Sequence, residues 1–139
     1  MATITRFEEI RAWKTTRQLT NLIYRLSREG DFARDFGLRD QIRRASVSAM
    51  SNIAEGFESQ SQAMFVSYLY RAKGSAGEVR SQLYLALDLG YISQAQFNKA
   101  YDLTDKTSRQ LGRFIAYLKS HPERRVVREH GVAYNVETL

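Results

Sequence analysis

An all-α fold, an up-down-up-down antiparallel four-helix bundle, is predicted by three features of the chain. Its 139 residues hold one proline, at position 122, and proline is the residue that breaks helix interiors. Apolar residues recur at the helical period of 3.6 over four long stretches. Short connections join those stretches, which makes consecutive helices antiparallel neighbours.

The first helix, residues 8–29, carries Ala12, Leu19, Leu22, Ile23 and Leu26 on one face, and Gly30 ends it. Residues 31–37 form the longest connection. The second helix, residues 38–57, aligns Leu38, Ile42, Ala45, Ala49, Ile53 and Gly56. The third, residues 61–89, has the cleanest stripe, with Phe65, Leu69, Ala72, Ala76, Val79, Leu83 and Ala86 in register, and Gly90 stops it. The fourth opens at Ser93 with Gln96 three residues on, the spacing of a capping box. Its stripe is Phe97, Ala100, Thr104, Leu111, Ile115 and Leu118, and His121 and Pro122 close it. The bundle is thus assigned to residues 1–120. Residues 121–139 are a tail, charged at first through Glu123, Arg124 and Arg125. The tail is read as lying outside the core, extended, disordered or docked on a neighbour.

A helix of a monomeric bundle needs one apolar face, and three of these helices carry a second row. On the first helix Trp13, Thr20 and Tyr24 line up, with Ile10 and Arg17 beside them; on the second, Val47, Met50 and Ala54; on the third, Val66, Tyr70, Gly77 and Tyr84. Scattered surface aromatics are ordinary, but aromatic residues, Met and Arg are enriched at subunit contacts. Repetition on three helices favours the second reading, a homo-oligomer with Trp13, Tyr24, Tyr70 and Tyr84 at its interface. The third helix also holds Lys73-Gly74-Ser75-Ala76-Gly77 in its middle. Mid-helix glycine costs about 0.5–1 kcal/mol against alanine. Close approach of another backbone, with Ala45, Ala49 and Gly56 as the facing surface, would account for it, as would a break in the helix.

Several function classes are set aside. There is no Cys, hence no disulfide and no thiolate metal site. The opening MATITRFEE lacks the apolar stretch of a secretory leader. No uninterrupted apolar run exceeds that at residues 83–87, far short of the ~20 residues that span a bilayer. A cytoplasmic protein without membrane association is expected. His121 and His130 have no third ligand at a fixed spacing, so neither a metal nor another cofactor is expected. The GSAG stretch lacks the form of a phosphate-cradling loop. Asn52 and Glu55 share one side of the second helix, and Glu78 could approach from the third. Such residues more often pair with Arg across a bundle than serve as an acid–base pair, so they and Gly56 are assigned structural roles and no enzyme is expected.

The net charge is +6, mostly from Arg, whose planar fork suits phosphate. Lys99, Lys106, Arg109 and Arg113 fall on the face of the fourth helix opposite its core stripe, with Asp102 and Asp105 among them. Arg34, Arg39, Arg43 and Arg44 cluster at the start of the second helix, and Arg71 and Lys73 lie on the third. A solvated charged face explains most such patterns. The sharper reading takes Arg43, Arg44, Arg71, Lys73, Lys99, Lys106, Arg109 and Arg113 as contacts to RNA or DNA phosphates, which add in number when copies assemble.

The run Gln41-Ile42-Arg43-Arg44-Ala45-Ser46-Val47-Ser48, followed by Asn52-Ile53-Ala54-Glu55-Gly56-Phe57, resembles the signature of the bacterial 23S rRNA intervening-sequence proteins. That family includes the accessory variability proteins of diversity-generating retroelements. Phe7 and Trp13-Lys14 resemble its opening motif, and Leu69-Tyr70-Arg71-Ala72-Lys73-Gly74-Ser75, with Glu78 and Gln82-Leu83, its third helix. The likeness spans roughly residues 7–119 and omits the tail. Where the family often has Pro in the middle of the second helix this chain has Met50, which implies a softer kink. The resemblance implies a four-helix bundle assembling as a homopentameric barrel. For the retroelement branch it implies binding to nucleic acid and to a reverse transcriptase through basic surfaces. It fixes fold and assembly more closely than activity.

Overall fold

The computed structural model describes residues 4–121. A 3-10 turn, Phe7–Glu9, leads into α1, Arg11–Ser27. A short α2, Gly30–Arg34, is followed by α3, Phe36–Glu58, α4, Gln62–Asp88, and α5, Gln94–Ser120. Among the described residues there is no strand, and the architecture is an all-helical bundle. No helix there is long and apolar enough to cross a membrane. The tail assigned to residues 121–139, with Pro122 and His130, lies outside the described residues except for His121, which caps α5.

Side-chain caps decide where the three longest helices begin, since the first turn of a helix leaves backbone donors unpaired. Asp35 accepts from the Leu38 amide and Ser61 from the Met64 amide, both at 3.1 Å. Ser93 and Gln96 close the full capping box, at 3.1 and 2.9 Å. The start of α1 differs. Its N-cap is Ile10, which is buried rather than hydrogen-bonded through a side chain.

The first connection corrects the sequence reading in two respects. α1 ends at Ser27, and Gly30, at φ +55, starts α2 instead of ending the first helix. A left-handed backbone costs glycine little, and the turn it makes returns Phe32 to the core, fully buried and stacked on Tyr91 at 5.4 Å. Tyr91 donates its hydroxyl to Asp35 at 2.8 Å. The Leu38 amide, and after it the Tyr91 hydroxyl, hold the Asp35 carboxyl below the usual carboxylate range, and the bond to Asp35 raises the Tyr91 phenol.

The stripes of the four long helices are buried as their periodicity requires, save Leu26 near the end of α1, which is half-buried. Two clusters result. One is built around Ile53, Phe57, Phe65, Leu69, Leu111 and Phe114, and Ile4 and Ile10 close it from the N-terminal segment. The other surrounds Leu19, Ile23, Phe32, Ile42, Val79 and Leu83. Buried hydroxyls of Thr15, Thr16, Thr104 and Thr107 donate to carbonyls three or four residues back in their own helices, so none is orphaned by burial.

Contacts between helices run in opposite chain order. Against α3, α1 sets Thr20 on the Ser46 carbonyl and Ser27 on Arg43. Between α3 and α4, Gln41 meets Gln82 and Ser48 meets Ser75. Between α4 and α5, Gln62 reaches the Leu118 carbonyl and Tyr84 packs on Phe97.

Small residues on α3 and α4 behave unequally. Ala45, Ala49 and Ala76 are buried, as close packing requires. Gly56 is the tightest point: a Cβ there would stand 2.7 Å from the Tyr68 Cβ and 2.9 Å from the Phe65 ring. Gly74 and Gly77 do not share this role within the chain, since a Cβ at either meets nothing within 4 Å. α4 passes through them unbroken, and α3 likewise through the half-buried Met50.

Candidate nucleic-acid interface

The eight cations assigned to phosphate do not form one surface. Arg43 turns along α3 toward α1, where its Nε donates to Ser27 Oγ at 2.7 Å and its guanidinium covers the Tyr24 ring at 4.6 Å. Arg44 is exposed beside it, and the two border a shallow depression with Tyr24, Asp40 and Val47. On α4, Arg71 lies over the Tyr68 ring at 5.2 Å, while Lys73 reaches toward Gly112 of α5. Arg113 is exposed, and Arg109 is tied to Asp105 one turn back at 3.1 Å. An exposed pair of this kind holds its partners by about 0–1 kcal/mol, so it leaves Arg109 exchangeable toward a phosphate.

Lys99 and Lys106 have a different setting. Both line a groove of about 560 Å³ between α1 and α5. Arg25 brings a third cation from α1, and Asp102 is the one carboxylate of the lining. Leu22 and Leu103 supply its apolar surface, and Gln18 and Asn21 its amides. Among the described residues, Arg25, Lys99 and Lys106 take part in no ion pair. A second depression continues along α1, sharing Gln18 and Asn21 and adding Trp13, Lys14, Arg17 and one carboxylate, Glu8. The sequence reading missed this α1 contribution because it followed apolar rows. The signal was there in Lys14, Gln18, Asn21 and Arg25, whose spacing of four, three and four puts them on one helix face.

The proposed structural residues are placed as follows. Asn52 donates to the carbonyl and hydroxyl of Ser48, at 2.9 and 3.0 Å, and Ser48 Oγ meets Ser75 Oγ at 2.9 Å. Asn52 therefore reaches α4 through a serine and not directly. Glu55 and Glu78 are exposed, and among the described residues no hydrogen bond or ion pair involves either. The expected pairing of these acids with an Arg across the bundle is not present among the described residues, and the nearby Arg43 of the family-like run bonds Ser27 instead. His121 lies against Tyr117, and among the described residues no three of His, Asp and Glu gather as a metal site.

The family described as 23S rRNA-intervening sequence protein matches residues 8–113. The chain belongs to that family. A solved structure from the S23 ribosomal protein family, a protein of unknown function from Bacteroides thetaiotaomicron, shares the fold at a TM-score of 0.70. The two are 22% identical, over 76% of this chain and 95% of that one. No curated protein matches. Both the α1/α5 groove and the Asn52–Ser48–Ser75 chain fall inside the matched span of this intervening-sequence family member.

The four aromatics assigned to an interface differ in availability. Trp13 is half-buried, edge-on to Phe7 at 5.3 Å with Arg17 over it at 5.8 Å, so much of its ring is used within the chain. Tyr24, Tyr70 and Tyr84 are 41%, 49% and 50% exposed. Each still has an intramolecular neighbour: Arg43 over Tyr24, Lys119 donating to the Tyr70 hydroxyl at 3.0 Å, and Phe97 beside Tyr84 at 5.0 Å.

Proposed function

We propose that this protein is a non-enzymatic, up-down-up-down helical bundle of the cytoplasm that assembles into a homo-oligomer, a pentameric barrel, and binds nucleic acid through phosphate contacts. The observation that carries the binding is the α1/α5 groove, where Arg25, Lys99 and Lys106 converge without ion-pair partners among the described residues. Unpaired cations on two facing helices keep their charge available, and each phosphate they meet releases counterions. The opposite chain order of the helix contacts supports the topology, and the exposed Tyr24, Tyr70 and Tyr84 support assembly.

A second reading, a scaffold that binds a protein such as a reverse transcriptase without touching nucleic acid, is favoured by the exposed Tyr84 and by Tyr24 and Tyr70, which lie under Arg43 and Lys119, a composition common at protein interfaces. Binding to mixed DNA and RNA at two salt concentrations separates the two. A phosphate-driven complex weakens steeply with salt, and the Lys106, Arg109 and Arg113 triple change to Gln should weaken it about equally across unrelated sequences. An intact oligomer that binds neither polymer at low salt leaves the scaffold reading in place.

A further inference from the structure

The α1/α5 groove is more than a charged surface, because its cations surround an apolar and amide-lined recess. Duplex nucleic acid offers a protein phosphates and groove edges, while its base faces are stacked out of reach. An unpaired nucleotide offers a base face as well, together with a free hydrogen-bonding edge. The half-buried Leu103, with the edge of the core residue Leu22 beneath it, matches the face, Gln18 and Asn21 the edge, and Arg25, Lys99 and Lys106 the phosphate. Asp102 sharpens the choice. A carboxylate opposes a bare anion, but it accepts from the exocyclic amine of a base such as cytosine. Asn21 gives one amide N–H to the Arg17 carbonyl at 3.0 Å, which keeps its second N–H and its side-chain carbonyl for a base edge. The adjoining depression carries Trp13, Lys14 and Arg17. From Lys14 to Arg25 the α1 face runs about 16.5 Å at 1.5 Å per residue, long enough for more than one nucleotide of a strand.

We propose that this groove seats an unpaired, amine-bearing nucleotide of a single-stranded RNA or DNA, with its phosphate on Arg25, Lys99 and Lys106 and its base over Leu22 and Leu103. This rests on the nucleic-acid reading above and adds a location and a preference for single strands.

The test uses the full chain and fluorescent oligonucleotides of one length, as oligocytidine, oligodeoxycytidine and a mixed-sequence duplex. Arg25→Gln with Lys99→Gln alters the groove, and Arg71→Gln with Lys73→Gln alters cations outside it. All four positions are exposed, and each variant is first compared with the parent by light scattering. The groove variant should lose about tenfold or more in single-strand affinity and no more than about threefold on duplex, while the outside variant should lose a similar factor on both. Cytidine monophosphate should displace the strand at a concentration at least about tenfold below that of inorganic phosphate. Equal losses on strand and duplex in the groove variant, or equal competition by the two small ligands, would overturn the seat while leaving general phosphate binding intact. No binding of any polymer by the parent at low salt would reject the nucleic-acid reading itself.

Discussion

At Gly56 the absence of a Cβ has a measurable consequence, because a methyl group would press on the Tyr68 Cβ at 2.7 Å and, at 3.3 Å, on the Phe65 backbone carbonyl, which cannot swing aside. Gly56→Ala should therefore overpack the α3/α4 seam and cost about 1–3 kcal/mol, read as a lower thermal midpoint. Gly74→Ala and Gly77→Ala meet open space and remove helix-destabilising glycines, so each should gain about 0.5–1 kcal/mol. A loss at either would mean that a second copy packs there. Sequence already held this distinction: Gly56 continues the buried series Leu38, Ile42, Ala45, Ala49 and Ile53, whereas Gly74 and Gly77 lie off the series of Ala72, Ala76 and Val79. Asp35 provides a second test at this scale. Its carboxyl is held low by the Leu38 amide and then by Tyr91, so its charged form is the one that stabilises the fold. That contribution is present above the ordinary carboxylate pKa and is lost as pH falls through the lowered value. Asp35→Asn should have a lower midpoint than the parent at about pH 7, and the gap should close as the pH falls through the lowered carboxylate value. A constant gap across that range would show that the charge contributes nothing.

Between α3 and α4 the contact depends on small side chains, and this is the part of the fold that periodicity exposes best. Ala49 and Ala76, both on the main stripes, are 0% and 1% exposed. Ala49→Leu or Ala76→Leu should each cost about 1–3 kcal/mol, equivalent to a fall of several degrees in thermal midpoint. An unchanged midpoint would place those positions at the surface. Short elements were opaque for the converse reason. Phe32 sits in a five-residue helix, and Ile4 and Ile10 flank a three-residue turn, so none belongs to a run long enough to show a period. Their burial is decided by tertiary closure: Gly30 turns the chain back, and Tyr91 and the first core cluster receive the side chains. The candidate groove was half legible. Lys99 and Lys106 stood out on α5, but their partnership with Arg25 arises only where α1 lies alongside, and no pattern within one helix encodes a neighbour.

The whole assembly should couple the two readings, since a phosphate-binding surface gains from repetition. One chain carries a formal +6, and a ring of five would carry about +30, so the number of phosphates engaged, and with it the salt dependence, should rise with assembly. Light scattering should accordingly give a mass several times 16.0 kDa; a monomer at micromolar concentration would refute assembly. Tyr24 and Tyr70 are the positions at which to break it, because both are exposed on long helices and belong to neither hydrophobic core cluster. Tyr24→Glu combined with Tyr70→Glu should leave the helical content unchanged and lower the mass toward one chain, since an unpaired carboxylate cannot be buried at an apolar contact without a large desolvation cost. The two added acids also lower the charge per chain, so a control with two glutamates at the exposed Ser67 and Ala95 matches that change without touching the tyrosines. If binding is collective, the tyrosine variant should lose affinity and show a clearly shallower slope of log affinity against log salt, while the control stays near the parent. A dissociated variant that keeps the parent's slope would mean that each chain binds alone, with the α1/α5 groove as a complete site in one copy. An oligomer that survives both substitutions would place the subunit contact elsewhere on the bundle.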